Sequence, residues 1–183
     1  MLDAATVEVD DAYIGARGGS AGRGTSQQAL IVAVDRAPAG KGSCVVRVAE
    51  DCSGGSYRQF GHDHLCRAST IRTDGWAGSA AGLAGFGIVQ KRYGADGQDS
   101  SLPMVHKVIS NFKAYVGGTF HGLAAAHMQA YADAFCWRYN HRMSASPAAD
   151  LLEEVCIMHV PRGDIPGMAA IQPKMEAGQQ RVV

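Results

Sequence analysis

TVEVDDAYI, residues 6–14, decides the fold: Val7 and Val9 alternate with Glu8 and Asp10. Alternation with period two is the pattern of a half-buried strand, so the spacing predicts a strand over Thr6–Ile14. Beyond it, GARGGSAGRGTSQQ (15–28) is rich in Gly and Arg, has no period, and reads as a loop. ALIVAVDR (29–36) is apolar enough for a central strand. The turn APAGKG then leads into SCVVRVA (43–49), a third strand. These connections are too short for crossover helices, which makes the three strands an antiparallel meander.

Working further out, a polar stretch carries one short helix at about Ser56–His62, followed by a strand over Ser69–Thr73 that ends at Asp74. A helix over Ala77–Ala84, a strand over Gly87–Gln90 and a polar loop over Lys91–Ser101 come next. Pro103 suits the first position of a helix. From there Val105, Val108, Ile109, Phe112, Tyr115 and Val116 share a face, and Gly117-Gly118 is expected to stop the helix. A second helix runs from Leu123 to about Arg142, and Pro147 starts a third over Ala148–His159. Beyond Pro161 no period is left, and residues 161–183 read as a loosely ordered tail. Antiparallel strands, then a strand after a helix, then helices give an α/β class. The order matches an RNase H-like mixed sheet, antiparallel meander plus parallel strands, flanked by helices.

The chain has 183 residues, enough for one domain with a sizeable core. Its 17 basic and 17 acidic side chains give zero formal net charge. That weighs against a strongly basic nucleic-acid binder, although carboxylates gathered for metal ions would offset a basic face. The five cysteines form no C-x-x-C pair and read as reduced thiols. MLDAATVEVDD lacks the basic and apolar regions of a signal peptide. No apolar run approaches the roughly 20 residues of a membrane span. A soluble, cytoplasmic protein without a membrane partner is expected.

Asp10 lies on the first strand and Asp74 just past the end of a later one. If those strands are neighbours, both carboxylates reach the same end of the sheet. Phosphoryl transfer on nucleic acid uses such a pair to hold two divalent ions about 3.5–4 Å apart, and Mg²⁺ needs few protein carboxylates because it keeps its waters. A strand-end Asp is also a common cap or turn former, and spacing alone leaves both readings open. Asp11 points to the opposite face of the strand, and Glu8, on the Asp10 face, is a candidate accessory. His62-x-His64-x-Cys66 has no fourth partner nearby and is a poor zinc site. The Gly-rich loop lacks G-K-[ST], so it is no phosphate loop, though Arg17 and Arg23 could touch DNA.

Four segments resemble the ISXO-type bacterial insertion-sequence transposases: VEVDDAYIG (7–15), IRTDGWAGSAAGL (71–83), VHKVISNFKAYVGGTFHG (105–122) and HMQAYADAFCWRYNHR (127–142). They stand in the family's order and cover most of residues 6–142. The resemblance implies a DDE-type catalytic domain over residues 1–160 and Mg²⁺ as cofactor, with Mn²⁺ as an alternative. It implies metal-dependent cleavage and strand transfer on DNA, at the element's terminal inverted repeats and a target DNA. Joining two ends implies a homo-oligomer at synapsis and a place at the nucleoid. Carried over by position, Asp10 and Asp74 are the first two catalytic aspartates and the metal ligands.

The family's third position lies on a helix seven residues before a Lys, which here counts back from Lys113 to His106. Seven residues turn a helix by about 700°, so the two share a face. With Val105 at zero, His106 falls near about 100°, Lys113 near about 80° and Asn111 near about 240°. His106 is therefore the expected third active-site residue and Asn111 the alternative. Imidazole suits Mn²⁺ better than Mg²⁺, so His106 could instead orient a water or the substrate phosphate. Lys113 is the expected phosphate contact. Arg138, Asn140 and Arg142 match the family's F-x-F-R-x-N-x-R pattern, and the i, i+4 pair Arg138 and Arg142 is expected on the DNA backbone. Phe135 and Trp137 are expected to pack against the core. His121 is expected to help turn the chain between two helices.

The chain departs from the family at Ser79, where an aromatic is usual, and at Ala134, where Glu is usual. It begins at the catalytic strand, whereas family members carry a zinc-ribbon or DNA-binding region first; this reads as truncation or degeneration. A non-catalytic remnant that binds DNA or a partner, and an RNase H-like nuclease without joining activity, are the alternatives.

Overall fold

The computed structural model describes residues 2, 5–15, 27–37, 42–90, 102–119 and 125–158. The chain divides into two compact units, Met1–Ser144 and Ala145–Val183.

In the first unit, five strands form one sheet: β1 Thr6–Ile14, β2 Gln28–Asp35, β3 Cys44–Ala49, β4 Thr70–Thr73 and β5 Gly87–Gln90. Their order is β3-β2-β1-β4-β5, antiparallel from β3 to β1 and parallel from β1 to β5. This is the mixed α/β sheet of an RNase H-like fold. Its helices are α1 Gly54–His64, α2 Ala77–Gly82, α3 Pro103–Thr119 and α4 Met128–Asn140, the last preceded by a 3₁₀ turn at Ala125–His127.

Side-chain alternation along the strands sorts the core into two layers. Val7, Val9, Ile31 and Ile71 pack with Tyr57, Phe60 and Leu65 of α1 and its C-cap, and with Leu83 after α2. Ala12, Leu30, Val32 and Val34 pack with Val105, Val108, Phe112 and Val116 of α3 and with Met128 and Ala132 of α4. Phe112 meets Phe135 edge-on, with 5.3 Å between ring centroids, so Phe135 joins the core as expected.

Helix α4 also covers the outer edge of β3. The N–H groups of Cys44, Val46 and Val48 donate to Asn140 Oδ1 (2.7 Å), Cys136 Sγ (3.1 Å) and Gln129 Oε1 (2.8 Å). Positions 129, 136 and 140 are seven and four residues apart, one stripe of the helix. An open strand edge is a template for unwanted pairing, and this polar stripe closes it without a sixth strand.

One expectation is corrected. Gly117-Gly118 does not end α3, which continues to Thr119; Gly lowers helix propensity by about 1 kcal/mol but lacks no backbone donor. The expected start of the next helix, Leu123, lies outside the described residues, which resume as a 3₁₀ turn at Ala125–His127 followed by the α-helix from Met128. Other element ends agree within about two residues. Residues 16–26, with Arg17 and Arg23, the loop 91–101, His121 and the tail 161–183 lie outside the described residues. The second unit contains α5, Pro147–Met158, close to the expected third helix. Among the described residues no helix is long and apolar enough to cross a membrane.

Candidate active site

The parallel ladder between β1 and β4 pairs Thr6 with Thr70, Val7 with Ile71 and Glu8 with Arg72. Two residues further along each chain stand Asp10 and Asp74, so the register brings both aspartates to one end of the sheet. Asp10 remains within β1, while Asp74 leaves β4 in a tight turn. Gly75 has a φ of 85°, a conformation a side chain rarely adopts. Asp74 Oδ1 accepts the N–H of Trp76 at 3.0 Å. Beneath the turn, the Thr73 and Ser79 hydroxyls are 2.9 Å apart, and Ser79 donates to the Trp76 carbonyl at 2.8 Å. Ser79 is buried. Its small hydroxyl fits where the resemblance leads one to expect an aromatic, and it knits the turn that presents Asp74.

Helix α3 approaches from the other side of Asp10. His106 Nε2 lies 3.0 Å from Asp10 Oδ2, and the Asp10 side chain is only 14% exposed. Burial first, and then the negative charge of Asp74, push the Asp10 carboxyl up to about 6. The Asp11 N–H that Asp10 Oδ1 accepts at 2.9 Å, and the nearby His106, pull it back only in part. A carboxylate raised by its own neighbour is one that a cation would relieve.

Asp10, His106 and Lys113 line one open cleft of ≈ 490 Å³, together with Tyr13, Gln27 and Ile109. Asn111 is exposed and does not line it. Asp74 does not line the cleft, but its charge acts on Asp10, and two such carboxylates fit a hard divalent ion such as Mg²⁺, which keeps most of its waters. Among the described residues no group of three His, Cys, Asp or Glu side chains forms a cage able to hold a metal by itself.

A protein-family profile of the ISXO2-like transposase domain matches residues 2–140. The chain belongs to the ISXO2-like transposase domain family. Among curated proteins, none matches it.

The remaining expected site residues of this transposase domain are spread along α3 and the end of α4. Lys113 is exposed at the cleft. Arg138 is exposed, with its guanidinium carbon 5.8 Å from the Tyr115 ring centre. Arg142 lies 3.9 Å from the Tyr139 ring centre and donates to the carbonyls of Gly42, at 2.8 Å, and Tyr139. Asn140 is occupied by the β3 edge, accepting from the Cys44 N–H and donating to its carbonyl at 3.1 Å. In the transposase domain, the end of the F-x-F-R-x-N-x-R motif therefore ties α4 to β3 and the chain before it. Only spatial neighbours separated by about 100 residues reveal that role. Asp11, set aside from the sequence as facing away from Asp10, accepts the Tyr57 hydroxyl at 2.9 Å.

Proposed function

We propose that this transposase domain is a DDE-type enzyme that cuts and joins DNA strands at insertion-sequence ends, with Asp10 and Asp74 as metal-binding catalytic residues and His106 as the third active-site residue. The observation that carries the reading is the carboxylate pair in register on adjacent parallel strands, Asp10 within β1 and Asp74 just past β4, with Asp10 pushed up to about 6 by burial and by Asp74. Asp10 and Asp74 would hold Mg²⁺ or Mn²⁺, which when bound would supply activation of the attacking oxygen and charge stabilisation for the leaving one.

The residues supply the rest. Asp10 and Asp74, one on a strand and one in a braced turn, hold their charges at fixed positions, which keeps reorganisation during reaction small. His106 orients Asp10 through Oδ2, and in the same cleft its imidazole can hold a water or a phosphate oxygen. Lys113 reaches phosphate along the cleft, and Arg138 contacts backbone further out. Arg142 joins it when the end of α4 meets DNA. The partners are the terminal inverted repeats and target DNA, bound by a homo-oligomer that holds two ends in the cytoplasm at the nucleoid.

Labelled inverted-repeat ends incubated with the protein and Mg²⁺ should be cut and joined, and Asp10→Asn and Asp74→Asn should each abolish both steps. Full activity in either variant sinks the proposal. End binding without cleavage would favour the non-catalytic alternative. Cleavage of generic DNA or hybrid without joining would favour the nuclease.

A further inference from the structure

Glu8 is a carboxylate with no exposure to solvent. It precedes Asp10 by two residues and shares its face of β1. Its Oε2 accepts the backbone N–H groups of Met104, at 2.8 Å, and Val105, at 3.0 Å. These are the second and third residues of α3, whose own helix offers their amides no acceptor. The first turn of α3 carries no acidic residue, so β1 supplies both the acceptor and the negative charge that the positive end of a helix favours. Glu8 Oε1 has no hydrogen bond among the described residues and stands 3.4 Å from Arg36 Nε.

The residue after Val105 is His106, whose Nε2 lies 3.0 Å from Asp10 Oδ2. One turn of α3 is thus joined twice to consecutive same-face positions of β1, at Glu8 through the backbone and at Asp10 through the imidazole. Val105 is already fully buried, so apolar packing alone would hold the helix near the sheet. Packing does not direct a helix about its axis. Two charge-assisted hydrogen bonds to adjacent amides do, because both must point at one oxygen.

We propose that Glu8 is a positioning residue that clamps the first turn of α3 onto β1 and thereby holds His106 against Asp10. Its consequence for the reaction rests on the active-site reading above, whereas the clamp can be read without any metal ion.

The test uses imidazole ¹H–¹⁵N correlations of the metal-free chain, with His106 assigned through His106→Gln. Wild type should show His106 nitrogen shifts fixed in one tautomer, and Glu8→Gln should move them towards those of a free, averaging imidazole. Phe60→Leu, in the core layer on the far side of the sheet, should leave the His106 shifts at wild-type values even at a similar loss of Tm. Unchanged His106 shifts in Glu8→Gln, or the same movement in Phe60→Leu, overturn the proposal. Amide hydrogen exchange on the wild type is independent of any variant's folding. Met104 and Val105 should be as protected as the middle of α3, and free exchange at both overturns the clamp. Titration with Mn²⁺ alone should then show at least about tenfold weaker binding in Glu8→Gln. Moved His106 shifts with no Mn²⁺ binding even in wild type would support the clamp and count against the active-site reading alone.

Discussion

Val7, Val9 and Asp11 leave β1 on one side of the sheet, and Glu8, Asp10 and Ala12 leave it on the other. The first side meets an apolar layer, and Asp11, half-buried at the cleft edge, accepts the buried Tyr57 phenol at 2.9 Å. The second side is polar within its core. Glu8 takes the amides of α3, and Asp10 faces His106 and Asp74 beside an open cleft. Neighbouring aspartates of one strand therefore stand in opposite situations. Asp11 accepts a neutral donor, whereas Asp10 is buried, and burial first and then the charge of Asp74 raise its pKa. The difference teaches that a site is recognised by unrelieved charge rather than by the presence of a carboxylate.

The sharpest way to break this comparison is to remove each charge in turn. Asp10→Asn is expected to lower cleavage of labelled ends by roughly three orders of magnitude, the scale seen when a group stabilising the transition state is lost. Asp11→Asn is expected to change the rate by no more than about threefold, under about 1 kcal/mol in transition-state terms. Single-turnover rates with Mg²⁺ measure both. Equal losses in the two variants would erase the distinction between the faces.

A smaller effect concerns stability. The raised pKa of Asp10 means that the folded chain holds its proton where the unfolded chain, near 3.8, releases it. The stability this contributes is fully present below about pH 4 and is lost as pH rises through about 6. Two pKa units at about 1.4 kcal/mol each give a loss on the order of 3 kcal/mol. Urea unfolding in chelator should show this fall between pH 4 and 7, and Asp10→Asn should flatten it. Added Mg²⁺ should restore stability at pH 7 more than at pH 5, because proton and cation compete for one carboxylate. A pH-independent midpoint in wild type would show that neither burial nor Asp74 raises Asp10 in the folded chain.

Much of this was legible in the chain itself. Alternation in TVEVDDAYI put Asp10 and Asp11 on opposite faces, and helical arithmetic put His106 and Lys113 on one flank, which is where the cleft gathers them. Short connections forced the antiparallel meander. The roles that stayed hidden belong to long-range contacts. Nothing local to Glu8 says that a helix amide 96 positions later, at Met104, will be aimed at it. Nothing local to Asn140 says that it fills the edge of β3, so a motif position looks the same whether it touches DNA or its own sheet. Gly117-Gly118 misled for the opposite reason: local propensity was read as a stop where α3 already packs on the sheet through Val108, Phe112 and Val116.

The smallest expected effect tests the Asp11 face. Tyr57→Phe keeps the buried ring and removes the hydroxyl that Asp11 accepts. Burial, followed by the charge of Asp11, drives the Tyr57 phenol well above its ordinary pKa, so it is a neutral donor at any working pH. Losing a hydrogen bond to a carboxylate costs about 1.5–3 kcal/mol where water cannot replace it. Asp11 is half-buried at the cleft, so water can, and a loss of about 1 kcal/mol is expected. Urea titration should show a lower midpoint with an unchanged slope. Strand cleavage at a temperature well below the transition should stay near wild type. A rate loss approaching that of Asp10→Asn would mean that Tyr57 acts through Asp11 on the reacting groups, and the two faces of β1 would then have to be treated as one site.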